Sequence, residues 1–158
     1  VFIHPLAPVV GGKRLTVFSL PNLVGFPFDT TIAACHLIFG GVLDRFPKLE
    51  VNLPHAGGVL PALAGRLDHG WRTIPAAGKL AHAPSSYLKR FSYDIITHSR
   101  PLLEFVISQV GIERIVLGSD FCFEIGLRRP VEVIEALGLS AIDRDLILGG
   151  TAAKLLRL

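Results

Sequence analysis

The chain reads as an α/β protein: about four βα units forming the C-terminal half of a TIM-type (β/α)8 barrel. Three observations predict this. Apolar runs alternate with helix-like segments, a pattern that calls for parallel strands joined by right-handed crossovers. Three of those runs end abruptly in a side chain able to bind a metal or move a proton. They are Val1-Phe2-Ile3-His4, Val51-Asn52-Leu53-Pro54-His55 and Ile115-Val116-Leu117-Gly118-Ser119-Asp120. Finally, His4, His55, Asp94 and Asp120 follow one another at 51, 39 and 26 positions, on the scale of the roughly 30-residue barrel unit. The C-terminal ends of parallel strands are where such proteins place their chemistry.

The elements follow in order. Val1–His4 is expected as the first strand. Residues 5–28 form a long connection rich in proline and glycine (Pro5, Pro8, Gly11, Gly12, Pro21, Gly25, Pro27), and that length marks a functional or interface loop. Asp29, Thr30 and Thr31 offer N-caps for a helix over Thr31–Phe46, apolar over most of its surface and stopped by Pro47. Leu49–Leu53 is the second strand and Val59–Trp71 the next helix. A loop carrying Pro75, Gly78 and Pro84 leads to a short helix at Ser85–Arg90 and a third strand at Phe91–Thr97. Pro101–Val110 is a helix with proline near N1 and Gly111 at its end. Arg114–Gly118 is the fourth strand. Helices over Pro130–Leu137, Ser140–Leu148 (Ser140 as N-cap) and Thr151–Leu158 complete one partial barrel domain over residues 1–158, without an internal repeat.

The chain has 158 residues and is 50% hydrophobic, enough for one domain with a sizeable core. Mean hydropathy is high, at +0.51. No uninterrupted apolar run reaches the ~18 residues of a membrane helix, so the hydrophobicity points to elements covered on both sides, or to missing partner surface. The net charge is +3, and the basic pairs Lys13-Arg14, Lys89-Arg90 and Arg128-Arg129 lie far apart. Nucleic-acid binders concentrate basic and aromatic residues in one stripe, and that class is set aside. Cys35 and Cys122 form no CxxC and no disulfide framework, which fits a reducing cytoplasm. No signal-peptide pattern is visible. There is no methionine and Val1 lies inside an apparent strand, so the chain is expected to be the C-terminal part of something longer. Half a barrel leaves two sheet edges and one inner face open.

His4 suits a metal ligand as a neutral imidazole; a hydrogen-bonded strand-end histidine is the plainer alternative. His55 lies beside Ala56-Gly57-Gly58, whose glycines leave room for a substrate or water, and its ordinary pKa suits general acid–base work. A loop histidine next to a helix-packing turn is its alternative. Asp120 can bind a divalent cation or take a proton from its water, or N-cap the next helix. Asp94 and His98 read as loop-fixing residues ahead of pocket-lining ones. Arg66 could grip a carboxylate through both guanidinium arms, although a surface ion pair with Asp68 or Glu50 is simpler. Cys122 has no base beside it in sequence and is not proposed as a nucleophile.

Several stretches together resemble a known family. They are Phe2-Ile3-His4-Pro5, Leu20-Pro21-Asn22-Leu23-Val24-Gly25, Thr30-Thr31 and Gly40-Gly41-Val42, then Arg45-Phe46-Pro47-Lys48-Leu49, His55-Ala56-Gly57-Gly58, Gly65-Arg66 and Leu117-Gly118-Ser119-Asp120. In this order they look like the C-terminal half of the amidohydrolase-related, metal-dependent decarboxylases. The resemblance implies a barrel holding one divalent metal, usually zinc. It implies that His4 and Asp120 bind the metal, on the fifth and eighth strands, and that His55 on the sixth is catalytic. Arg66 would reach into the neighbouring subunit and hold a substrate carboxylate, which implies a homodimer. The substrate would be an unsaturated or aromatic carboxylic acid that loses carbon dioxide.

The departures are also visible. The family's first-strand His-x-His pair and an N-terminal arginine have no counterpart here. Asn22 stands where tryptophan is common, and Cys122 and Glu124 where prolines are. Two metal ligands fall short of the three or four that zinc takes, so weak or absent zinc binding and poor solubility are expected of this polypeptide alone. A lactone or amide hydrolase using the same centre, or a truncated non-catalytic fragment, remain the rival readings.

Overall fold

Four extended segments lie side by side in chain order, and every pairing among them is parallel. In the computed structural model, which describes residues 1–8, 11–78 and 80–158, Phe2 bridges Asn52 and Tyr93 bridges Ile115. Between them strand β1 (Val51–Leu53) pairs with strand β2 (Phe91–Tyr93) in the register Val51↔Phe91, Leu53↔Tyr93. Val9 and Val10, inside the proline- and glycine-rich connection, lie outside the described residues, as does Lys79. The order is the predicted one, but the strands are shorter. β2 stops at Tyr93 because Asp94 turns its carboxylate onto the backbone, accepting from Ile96 N at 3.0 Å. The first and fourth segments are each tied in by a single bridge, with Asn52 N donating to Val1 O (2.8 Å) and Val116 N to Tyr93 O (2.8 Å).

Helix α1 (Phe26–Phe39) begins earlier than the predicted Thr31. A π turn over Pro21–Gly25 runs straight into it, so the second part of the expected 5–28 loop is helical; a single 3-10 turn, Gly12–Leu15, lies before it. Pro27 has no N–H to return to the preceding turn, and a widened turn at that place accommodates it. The glycine pair divides the predicted Thr31–Phe46 helix. Gly41 takes φ +65°, a left-handed conformation that glycine adopts without penalty, and the short α2 (Val42–Arg45) follows. Thr30 and Thr31, expected as caps, are buried within α1.

Helix α3 (Leu60–Thr73), the 3-10 segment Pro84–Arg90 and α4 (Arg100–Val110) match the expected elements closely. Ser99 caps α4 by accepting from Leu102 N (3.4 Å). Helix α5 (Pro130–Glu135) is next. The last two predicted helices form one rod: α6 (Ala141–Asp145), a π turn over Leu146–Gly150 and α7 (Thr151–Leu156) run on without a break. Gly150 keeps helical dihedrals there (φ −60°), so the glycine pair between the two expected helices does not break the rod.

The helices cover one side of the sheet. Leu53, Phe91, Tyr93 and Ile115 from the extended segments are fully buried against Ile38, Leu60, Leu103 and Ile147. The helical stretch Pro21–Phe39, 19 residues, is long and apolar enough to cross a membrane by length and composition alone. It nevertheless seats Thr30, Thr31, Ala34 and Ile38 in the core.

The turn that follows β1 is clamped by α1. Thr31 Oγ1 donates to Pro27 O and accepts from Val59 N, both at 2.9 Å. Gly58 lies under that clamp at φ +64°, where a Cβ would overlap the Pro27 carbonyl oxygen. Gly58→Ala therefore combines backbone strain with a steric clash. It should lower stability by about 2 kcal/mol or more, read as a shifted urea midpoint with unchanged slope.

Candidate active site

Parallel pairing puts the C-terminal ends of the segments along one edge, and that edge gathers His4, His55 and Asp120. One ligand-type atom from each lies within 4.8 Å of the others. His4 Nδ1 is 2.9 Å from the Pro5 carbonyl oxygen. A carbonyl only accepts, so Nδ1 carries the proton and Nε2 of the neutral ring presents a lone pair. That lone pair faces Asp120 Oδ1 at 3.4 Å. Two acceptors brought face to face suit a proton or a cation between them. Donation of the second ring nitrogen to a carbonyl is also how metal-bound histidines are commonly oriented.

The His55 ring lies 5.3 Å from that of His4, centroid to centroid. Its Nδ1 is buried without a hydrogen-bond partner, a state that costs free energy until a ligand fills it. Burial pushes the His55 pKa down. Asp120 opposes the shift, and His4 and His98 add to it. The ring is therefore neutral near pH 7 and able to accept a proton. His55 and Asp120 both hold left-handed backbone conformations, at φ 53° and 56°. Non-glycine residues in that region cluster at functional sites.

Behind His55 stands Asp94, only 6% exposed. Its Oδ2 accepts from His55 N (3.0 Å), and its Oδ1 from Ala56 N (2.7 Å) and Ile96 N (3.0 Å). Burial pushes its carboxyl up to about 6 against the downward pull of those three N–H groups. Gly118 makes room for it, since a Cβ there would lie 2.8 Å from Asp94 Cβ.

A cleft of about 260 Å³ opens over the three groups. Phe26 stacks on His55 (6.5 Å, 13°) and Phe123 on His4 (6.1 Å, 10°). Leu23, Ile96 and Leu102 extend the apolar wall, while Asn22, Thr97 and His98 supply polar edges. The space suits a small planar molecule with an acidic group directed at the histidines.

The sequence-predicted His4, His55 and Asp120 thus converge. Arg66 does not join them: it is exposed on α3 and is not among the cleft-lining residues. Its expected surface partners are engaged elsewhere, Asp68 with Ser85 N and Oγ (2.8 Å each) and Glu50 with Arg114 (3.6 Å). His98, read as a loop-fixing residue, lines the cleft; its left-handed φ of 52° turns the chain there. Phe26 and Phe123 were not singled out from sequence. Phe123 lay three positions beyond Asp120, and Phe26 was hidden in the presumed loop.

The chain belongs to the amidohydrolase family, whose sequence pattern matches residues 1–158. It is 36% identical to a 2-amino-3-carboxymuconate-6-semialdehyde decarboxylase of Dictyostelium discoideum, over 100% of this chain and 45% of that protein. It is 37% identical to the enzyme of that name from Caenorhabditis elegans, over 99% of this chain and 40% of the relative. Among solved structures it resembles 5-carboxyvanillate decarboxylase of Sphingomonas paucimobilis, with TM-score 0.87, 28% identity, and coverage of 99% and 49%. It also resembles a dihydroxybenzoic acid decarboxylase of Polaromonas, solved with bound manganese and the inhibitor 2-nitroresorcinol (TM-score 0.86, 25% identity, coverage of 99% and 49%). The chain thus spans about half the length, or less, of the relatives it matches, and its α/β architecture is part of an amidohydrolase-type TIM barrel.

The lowered pKa of His55 has a thermodynamic consequence. Its folded value lies below the ordinary 6.5, so between those two values the folded state binds fewer protons than the unfolded. Stability rises with pH across that window and is lost as pH falls through 6.5 and below. His55→Gln should flatten this slope. Urea midpoints measured between about pH 5 and pH 7 test it, and an unchanged slope would mean that His55 is not held neutral by burial.

Proposed function

We propose that this chain is the C-terminal half of a metal-dependent decarboxylase, a single partial barrel domain that removes carbon dioxide from an unsaturated or aromatic carboxylic acid. The observation that carries the reading is the convergence of His4, His55 and Asp120 under an apolar, aromatic-walled cleft. The opposed lone pairs of His4 Nε2 and Asp120 Oδ1, with a His55 ring nitrogen nearby, fit a divalent cation. His4 and Asp120 would hold it, and its positive charge would bind and polarise the oxygens of an acidic substrate. Zinc is the metal the sequence resemblance favours, and an imidazole with a carboxylate suits zinc and manganese alike. The remaining coordination belongs to water, substrate or the rest of the barrel.

This chain's own residues supply the other parts. Phe26 and Phe123 confine a planar ring and exclude water from around it. The neutral imidazole of His55 takes up a proton from solvent water and delivers it to the carbon that loses the carboxyl group. The carbon–carbon bond breaks, carbon dioxide leaves, and its bonding electron pair stays on that carbon and takes the proton. Arg66, exposed and without an ion pair among the described residues, is proposed to hold the carboxylate in a neighbouring subunit's site, which makes the enzyme a homodimer. Free Cys35 and Cys122 agree with a cytoplasmic setting.

In the protein carrying the complete barrel, His55→Ala should lower carbon dioxide release by about 100-fold or more while leaving metal content unchanged. Asp120→Ala should lose the metal itself. Lactone cleavage without carbon dioxide release would favour the hydrolase reading. A 158-residue chain that assembles normally without binding a divalent metal would favour a non-catalytic role.

Arg66→Ala should raise KM for the acid with little change in metal content or in the melting curve. An unaltered KM would remove Arg66 from the site.

A further inference from the structure

We propose that Asp94 is a positioning residue: its carboxylate fixes the His55 imidazole beside His4 by holding the backbone of the left-handed turn at residues 55–56. This inference rests on the proposed function for the use made of the ring, but not for the geometry.

The His55 side chain makes no hydrogen bond through its buried Nδ1. Its ring direction is therefore set by ring packing and by the backbone that carries it. That backbone is unusual, because His55 and Ala56 take φ 53° and 49° in succession. L residues other than glycine adopt such a pair only where the surroundings impose it. The imposing group is Asp94, which accepts from both N–H groups of the turn and from Ile96 N besides. Thr31 holds the far end of the same loop through Val59 N. Among the described residues, Asp94 is the side chain bonded to the His55 N–H, while the His55 carbonyl accepts from Gly58 N (2.8 Å).

The two carboxylate oxygens divide the work. Oδ1 serves Ala56 and Ile96, and Oδ2 serves His55. An asparagine keeps one acceptor oxygen and turns an NH₂ toward the third donor. Placed with its oxygen between Ala56 and Ile96, Asp94→Asn cuts the link to His55 and spares the other two. A carboxylate is needed here because three donors converge on it from two sides.

The test uses the protein carrying the complete barrel, with labelled histidines, followed by NMR. In the unaltered chain the His4 and His55 rings, 5.3 Å apart, should show a ring-to-ring cross-peak. Asp94→Asn should lose it. Leu103→Ala, which empties a fully buried core position on α4, destabilises without touching the turn and should keep it. Titration with manganese alone gives the second reading. Manganese should broaden both rings in the unaltered chain, and in Asp94→Asn the broadening of the His55 ring should weaken relative to that of His4.

A retained cross-peak and unchanged broadening in Asp94→Asn would overturn the proposal and leave Asp94 as a buried structural group. An unaltered chain that shows the cross-peak but no manganese broadening would sink the metal reading. The positioning role would still be decided by the cross-peak. If Asp94→Asn does not fold, Gly118→Ala crowds the same carboxylate while keeping its charge. The same loss is expected there, and retention would overturn the proposal.

Discussion

Parallel strand pairing is the constraint on which everything else depends. When strands run in one direction, their C-terminal ends share an edge, whatever lies between them in sequence. His4 and Asp120 are 116 positions apart, yet each ends an apolar segment, and three successive parallel pairings bring them into contact. An antiparallel arrangement of the same segments would send alternate ends to opposite edges. The helices matter here mainly as the means of returning the chain to the starting edge, and as the apolar cover that buries Phe91, Tyr93 and Ile115.

This explains why His4, His55 and Asp120 were readable. An apolar run that stops at a polar residue announces a strand end, and three strand ends announce a shared edge. The helices were readable where a cap or terminator acts locally, as with Pro101, Gly111 and Ser140. They were misread where local chemistry and packing disagree. Prolines at 21 and 27 suggest a loop, but an early helical turn lacks partners for those N–H groups in any case, and a π turn absorbs the rest. Thr31 resembles a cap, yet it spends its hydroxyl across the gap to Val59. Glycine pairs are ambiguous in sequence: Gly40-Gly41 breaks a helix and Gly149-Gly150 does not. Aromatic walls such as Phe26 and Phe123 carry no spacing signal, because they meet the histidines only through the fold.

The site combines features that oppose one another energetically. A carboxyl is buried against three N–H groups, a histidine is kept neutral beside a carboxylate, and several residues hold left-handed backbone. None of these is favourable by itself. They persist because the surrounding packing over-determines them: Gly118 yields space to Asp94, Gly57 approaches the Tyr93 ring, and Gly58 tucks beneath Pro27. The loop between β1 and α3 is thus rigid by construction, while its imidazole keeps one nitrogen unspent.

One further contact ties the far end of the chain to this edge. Leu117 N donates to Ile147 O at 3.0 Å, so the C-terminal helical rod is tied to the backbone of the fourth segment. Ile147 is fully buried, and its carbonyl is anchored as firmly as its side chain. Any substitution that rotates the rod will pull on backbone three residues from Asp120. Natural or laboratory variation near the carboxyl terminus can therefore tune the carboxylate's aim without entering the cleft.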